Sequence, residues 1–155
     1  EMEAVAAHFG KHVLREVEPE TVESRIGEVR RACGDRAVLR ALHYYDENAR
    51  VLEQAAAIRG GDLPAFFDAV NRSGESSWKL LQNVYARPTE EQMAMGIELS
   101  RRFLHGDGAQ RVHGGGFAGC VQALMPRDAF PAYRKGMEAL FGHGSCRELH
   151  MTGAK

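Results

Sequence analysis

The sequence predicts an α+β domain in which helices pack on a small antiparallel sheet. Three observations carry that expectation. Apolar residues recur at helical spacing, between cap and breaker signals, through most of residues 20–104. Residues 109–125 then read as strand, glycine turn and strand, followed by one more helix and one more strand. Helices gathered ahead of a short β-turn-β-α-β run fit segregated layers, with the last part forming a ferredoxin-like βαβ-containing layer. At 155 residues with no linker-like stretch, residues 1–155 read as one domain.

Taken in order, residues 1–14 allow a short helix with a poor amphipathic pattern. Pro19 opens a stronger one, in which Val22, Ile26, Val29 and Cys33 share a face and Gly34 closes the run. Asp35 is placed to cap the next helix, whose Val38, Leu42, Tyr45, Ala49, Leu52 and Ala56 keep one stripe as far as Gly60-Gly61. Asp62 caps a third helix with Pro64 in its first turn and Leu63, Phe66, Phe67 and Val70 as its apolar residues. The Asn71–Ser77 stretch predicts a break or bend. Trp78–Tyr85 is apolar enough for burial, with helix favoured, and Arg87-Pro88 ends it.

Thr89 and Gln92 form a capping-box pair for a helix carrying Met93, Ile97, Leu99, Phe103 and Leu104. His105-Gly106-Asp107-Gly108 is a stop and turn. Ala109–His113 and Cys120–Met125 read as strands, and Pro126 ends the second. Asp128–Phe141 is an amphipathic helix with Phe130, Tyr133, Met137 and Leu140 inward, and Cys146–Met151 a final strand with Leu149 and Met151 inward.

Charge and composition exclude some classes of function. The 20 basic and 21 acidic residues nearly cancel, so no basic excess points to nucleic acid. No apolar run is long enough for a membrane span, and the first residues lack a signal peptide's basic and apolar regions. The opening Glu1-Met2 leads us to expect a native start upstream or a trimmed one. Cys33, Cys120 and Cys146 have no CxxC spacing and fit free thiols in a reducing, cytoplasmic compartment. His8 and His12 share a helical i, i+4 spacing without an intervening Glu or a third ligand, so no metal site is expected.

The segment Arg111-Val112-His113-Gly114-Gly115-Gly116-Phe117-Ala118-Gly119-Cys120 is the most distinctive motif. A turn this poor in side chains lets an anion approach peptide N–H groups. From the residues alone, phosphate binding and a tight hairpin that merely packs closely are equally open. Arg111 has two readings as well: a phosphate or carboxylate contact, or a strand-end salt bridge. His113 borders the turn, where a structural hydrogen bond is a simpler role than catalysis. Cys120, opening a buried strand with no base, reads as a packed apolar residue. Arg40, His43, Glu47 and Arg50 lie on neighbouring turns of one helix, where Glu47 can pair with Arg50 and His43. That face either looks into a cleft or is solvated. Ser73, Ser76 and Ser77 read as turn and capping residues, and Trp78 and Tyr85 as core.

This segment resembles the third signature motif of the galactokinase branch of the GHMP kinases, Arg-Met-Thr-Gly-Gly/Ala-Gly-Phe-Gly-Gly-Cys. Arg111, Gly114, Gly116, Phe117, Gly119 and Cys120 match it; Val112, His113 and Ala118 depart. Arg40–Val51 resembles the family's Arg-x-x-His-x-x-x-Glu-x-x-Arg-Val helix. Gly61-Asp62-Leu63-Pro64-Ala65-Phe66 and Asn71-x-Ser73-x-x-Ser76 resemble the elements after it, and residues 147–154 its last strand and glycine-bearing end.

The resemblance implies the C-terminal half of a GHMP sugar kinase, with the N-terminal ATP- and sugar-binding domain absent from this chain. It implies transfer of the ATP γ-phosphoryl group to the anomeric hydroxyl of galactose or a related sugar, with ATP and Mg2+ held mainly by the missing domain. The family's Pro-x-x-x-Gly-Leu-Ser-Ser-Ser-Ala loop and its catalytic Asp and Arg are not found here, so this chain alone is expected to be inactive. Gly114, Gly115, Gly116, Phe117 and Gly119 are then the phosphate-side loop, with Phe117 as an apolar plug fixing it. Arg111 and His113 are substrate-cleft candidates. Leu81–Tyr85 replaces the family's Asp-Tyr-Glu-Val-Ser, and Gly74 its His. The expected partners are ATP, a small sugar and the chain's own N-terminal domain, with a homodimer possible. One alternative is a non-catalytic, galactokinase-related sugar and ATP sensor or regulatory protein; another is a free-standing module that self-associates.

Overall fold

The computed structural model describes residues 1–85, 87–117 and 119–149. The α+β expectation holds: the described residues form seven α-helices and one two-stranded antiparallel sheet. The helices are α1 (Met2–His8), α2 (Pro19–Ser24), α3 (Ile26–Cys33), α4 (Asp35–Gly60), α5 (Leu63–Ser76), α6 (Gln92–Leu104) and α7 (Phe130–Phe141). The strands are β1 (Ala109–His113) and β2 (Cys120–Leu124), paired from Ala109↔Leu124 to His113↔Cys120.

Several local expectations are corrected. The run from Pro19 to Cys33 is two helices. Arg25 leaves helical geometry (φ −112°, ψ 21°), places its guanidinium 5.0 Å from the centre of the Phe9 ring and pairs with Glu28, while Ile26 is left exposed. Gly34, at φ 88°, holds the N-cap position of α4, and Asp35 instead pairs with Arg30. The stripe predicted along α4 is buried only at its start. Val38 is in the core and Leu42 and Tyr45 pack against it, but Ala49, Leu52 and Ala56 face solvent because α1 and α3 end before them.

Asn71–Ser77 does not break α5, which runs to Ser76. Ser73, Ser76 and Ser77 are buried, and Ser73 and Ser76 are spared a solvation penalty by side-chain partners described below. A π-helical turn, Ser77–Leu81, then hands over to left-handed Gln82 (φ 59°), in place of the helix favoured for Trp78–Tyr85. No capping box forms at Thr89. The helix starts at Gln92 behind Glu91, with no side-chain cap. Phe103 and Leu140, expected inward, are 39% and 60% exposed. Cys146–Leu149 forms no strand: only Cys146 reaches the core and Leu149 is 83% exposed, so no alternating face anchors the segment. His150 and Met151, the rest of that predicted strand, lie outside the described residues, as does Ala118 within the turn.

Other elements match. Asp62 accepts the Ala65 N–H at 2.9 Å and caps α5. Trp78 packs beside Val84, Met93, Ala94, Ile97 and Val112. Leu104, Tyr133 and Met137 form a further cluster between α6 and α7, where the Ser100 and Tyr133 hydroxyls hydrogen-bond at 2.7 Å. Among the described residues no helix is long and apolar enough to cross a membrane.

Candidate functional site

The glycine run is the connection between β1 and β2, and helix packing fixes where it projects. Strand β1 has β2 along one edge and α5 along the other. There Asn71 replaces a strand: its Oδ1 accepts the Gln110 N–H at 3.0 Å and its Nδ2 donates to the Gly108 carbonyl at 3.3 Å. Gly74 lets α5 approach this closely, since a Cβ there would come within 2.9 Å of the Gln110 carbonyl oxygen.

Arg111 on β1 is tied into the interior. It donates to Ser73 Oγ at 2.6 Å and to the Val112 carbonyl at 3.1 Å, and lies 3.8 Å from Glu47. Ser73 in turn donates to Glu47 at 2.5 Å, and Arg50 pairs with the other Glu47 oxygen and with Asp46. Glu47 thus joins α4, α5 and β1 through one carboxylate. The Glu47–Arg50 pair expected from spacing is present. His43 bonds Ser76 Oγ at 2.9 Å instead of pairing with Glu47. Burial holds the His43 imidazole below its usual titration range; Glu47 partly offsets this, and Arg50 and Arg111 add to it. His43, Glu47 and Arg50 on α4 therefore form a partly buried junction with α5 and β1. Arg40 departs from it and pairs with Glu1.

Past Arg111 the chain emerges. His113 is exposed, with its backbone opposite Cys120, and Cys120 is exposed as well, contrary to the packed role expected of it. Gly114 (φ 64°), Gly116 (φ 76°) and Phe117 (φ 63°) adopt left-handed conformations. The space where a Cβ would project from Gly114 or Gly115 is open to 4 Å. Gly116 has the opposite environment: a Cβ would sit 2.1 Å from the Asn83 carbonyl oxygen. That oxygen accepts the Phe117 N–H at 2.7 Å, and Asn83 Nδ2 donates to the Gly115 carbonyl at 3.3 Å.

One wall of the turn is thus fastened to the Gln82–Val84 segment while its tip is bare. The Phe117 ring does not plug the loop. It is 49% exposed and borders a shallow depression of about 230 Å³ with Glu1, Met2, Arg40 and Leu81, so backbone bonds to Asn83 hold the turn. Asn83, 2% exposed, is the residue that sequence reading missed. Its only signal was that it falls where the segment departs from the related motif. A larger open cleft of about 650 Å³, walled by Phe67, Asp107 and Asp128 among others, lies by Gly108 at the other end of β1 and does not include the turn.

Gly114 and Gly115 leave room for an anion where side chains would stand, and the left-handed turn varies the direction of successive N–H groups. Among the described residues no group of three His, Cys, Asp or Glu is set to hold a metal ion.

The chain is 33% identical over 133 residues to a galactokinase of Haemophilus influenzae (strain PittEE), a match spanning 86% of this chain and 33% of that protein. It is 31% identical over 135 residues to a galactokinase of Glaesserella parasuis and 32% identical over 133 residues to one of Actinobacillus succinogenes, again with 86–87% of this chain and 33–34% of theirs covered. The chain spans about a third of the length of these relatives. No family model matches it.

Proposed function

From this homology to galactokinases we propose that residues 1–155 form the C-terminal domain of a galactokinase-like sugar kinase, which moves the ATP γ-phosphoryl group to the anomeric hydroxyl of galactose or a related sugar. The observation that carries the reading is a glycine turn with a bare tip at Gly114 and Gly115, in a chain similar to galactokinases over 86% of its length. Phosphoryl transfer needs in-line positioning and stabilisation of charge on phosphate oxygens more than covalent help from the protein. Backbone N–H groups at the Gly114–Gly116 tip supply such stabilisation without bulk. ATP supplies the transferred group. Following the family resemblance, the ligands of Mg2+ and the catalytic Asp and Arg are assigned to the N-terminal domain of the full-length protein.

In this reading Gly114, Gly115, Gly116, Phe117 and Gly119 flank the triphosphate, and exposed His113 borders the acceptor side. Arg111 serves the site by fixing β1 through Ser73 and Glu47. The test is ADP release by the full-length protein with ATP and a panel of hexoses. ADP formed with galactose or a close relative is the expected result, and none with any hexose overturns the reading. Retained sugar and ATP binding without ADP would instead indicate the sensor.

A further inference from the structure

We propose that Asn83 is the positioning residue of the phosphate loop: its side-chain amide orients the Gly115–Gly116 peptide so that the Gly116 N–H is presented to a phosphate oxygen. This rests on reading the β1–β2 turn as the phosphate-side loop. A trans peptide directs its C=O and N–H to opposite sides. Asn83 Nδ2 holds the Gly115 carbonyl at 3.3 Å, so the Gly116 N–H of that same peptide points away from Asn83. The next peptide is set in turn, because the Phe117 N–H is drawn to the Asn83 carbonyl at 2.7 Å. The Gly116 carbonyl is directed within the turn, 3.5 Å from where a Gly119 Cβ would sit. The second and third peptides of the turn are therefore oriented by one residue from a segment 32 positions away in sequence.

Three further features of the fold support Asn83 as placed for this task. Its side chain is 2% exposed, and its Oδ1 is buried with no hydrogen-bond partner among the described residues. A buried amide with an unpaired acceptor is costly, and an apolar residue would fill the same space without that penalty. What an apolar residue would lose is the Nδ2 donor, whose partner is the glycine turn. Gln82 immediately before it is left-handed, and so is Phe117 at the other end of the backbone bond. Non-glycine residues rarely adopt that geometry, and such strain gathers at ligand-clamping sites. Finally, the π-helical turn Ser77–Leu81, closed by the Gln82 N–H on the Ser77 carbonyl at 2.7 Å, delivers Asn83 beneath the glycines.

The test pairs spectroscopy with kinetics, both on the full-length protein. Asn83→Ala should shift the backbone amide resonances of Gly114–Phe117 and leave those of α1–α3 in place. It should lower kcat on the order of tenfold or more, with the sugar KM within about threefold, the pattern of a contact made in the transition state. Asn83→Asp keeps the shape but turns an acceptor on the Gly115 carbonyl, and should be no better than the alanine variant. If alanine prevents folding, Asn83→Ser makes the same comparison. Unmoved turn resonances, an unchanged kcat in an active protein, or rescue by aspartate would each overturn the proposal. A wild-type protein that releases no ADP with any hexose would overturn the kinase reading itself, whereas an active wild type with an unaffected alanine variant overturns only this inference.

Discussion

At the scale of single residues, adjacent glycines in the turn have opposite reasons to lack a side chain. Gly115 faces open space and its φ is not positive, so a side chain there is tolerated by the fold and obstructs only what approaches from outside. Gly115→Val should leave the melting temperature within about 3 °C of wild type, since exposed substitutions away from special features cost little. In the full-length protein it should slow phosphoryl transfer by about 100-fold if N–H contacts at the tip stabilise the transferred group. Gly116 is left-handed, and an added Cβ would fall 2.1 Å from the Asn83 carbonyl. Gly116→Ala should therefore cost about 2–4 kcal/mol of stability, combining left-handed strain with overpacking. Thermal melts of both variants, with ADP release by the first, separate the two roles. A Gly116→Ala protein as stable as wild type would mean that the turn is not held against Asn83.

Between elements, the chief contact is the Glu47 carboxylate, which α4 extends to Ser73 of α5, Arg111 of β1 and its own Arg50. Glu47→Ala leaves two partly buried guanidinium groups short of their anion and should lower stability by about 2 kcal/mol in chemical denaturation, as expected for losing charge-assisted bonds. An effect under about 0.5 kcal/mol would mark the junction as a surface feature. His43 adds a pH dependence. Burial depresses its pKa in the folded state, so the unfolded chain binds its proton more readily. Its contribution to stability is complete above the unfolded value near 6.5, and is lost as pH falls from there through the lower folded value. His43→Gln can keep the bond to Ser76 without titrating. The difference in unfolding free energy between wild type and variant should thus shift against wild type between about pH 7 and pH 5.

The junction also shows what sequence could and could not supply. The i, i+3 geometry of Glu47 and Arg50 is local and was legible. Ser73 lies 26 residues from Glu47 and Arg111 a further 38 from Ser73, and their meeting depends on how closely Gly74 lets α5 approach β1. The turn itself was legible from its glycines, but Asn83 beneath it was not, because a π-helical turn follows no apolar repeat. Likewise the apolar rhythm of α4 continues to Gly60-Gly61, but periodicity marks a face without saying where its partners end.

Across the whole molecule, the buried apolar residues gather in two regions. Val5, Leu14, Val17, Val22, Val29, Ala37, Val38 and Ala41 form one core, all from residues before the midpoint of α4. The sheet-side clusters draw on Trp78, Val84, α6, β1, β2, α7 and Cys146. Helix α4, 26 residues and so about 39 Å long, runs from the first region toward α5, while Val51, Leu52 and Ile58 on its second half are 60–70% exposed. With one core built on the first half of α4 and the others without it, opening of the first need not open the rest. Val29→Ala, at a position with no exposure, removes core volume worth about 2 kcal/mol from the first region. Native-state hydrogen exchange should then show faster exchange in α1, α3 and the first turns of α4, with β1 and β2 keeping wild-type protection. Uniform loss of protection in all elements would show instead that α4 transmits the damage and that the chain unfolds as one unit. In that case the Glu47 junction, which lies on α4 just beyond the first core, would be the coupling element, and Glu47→Ala should restore independent opening.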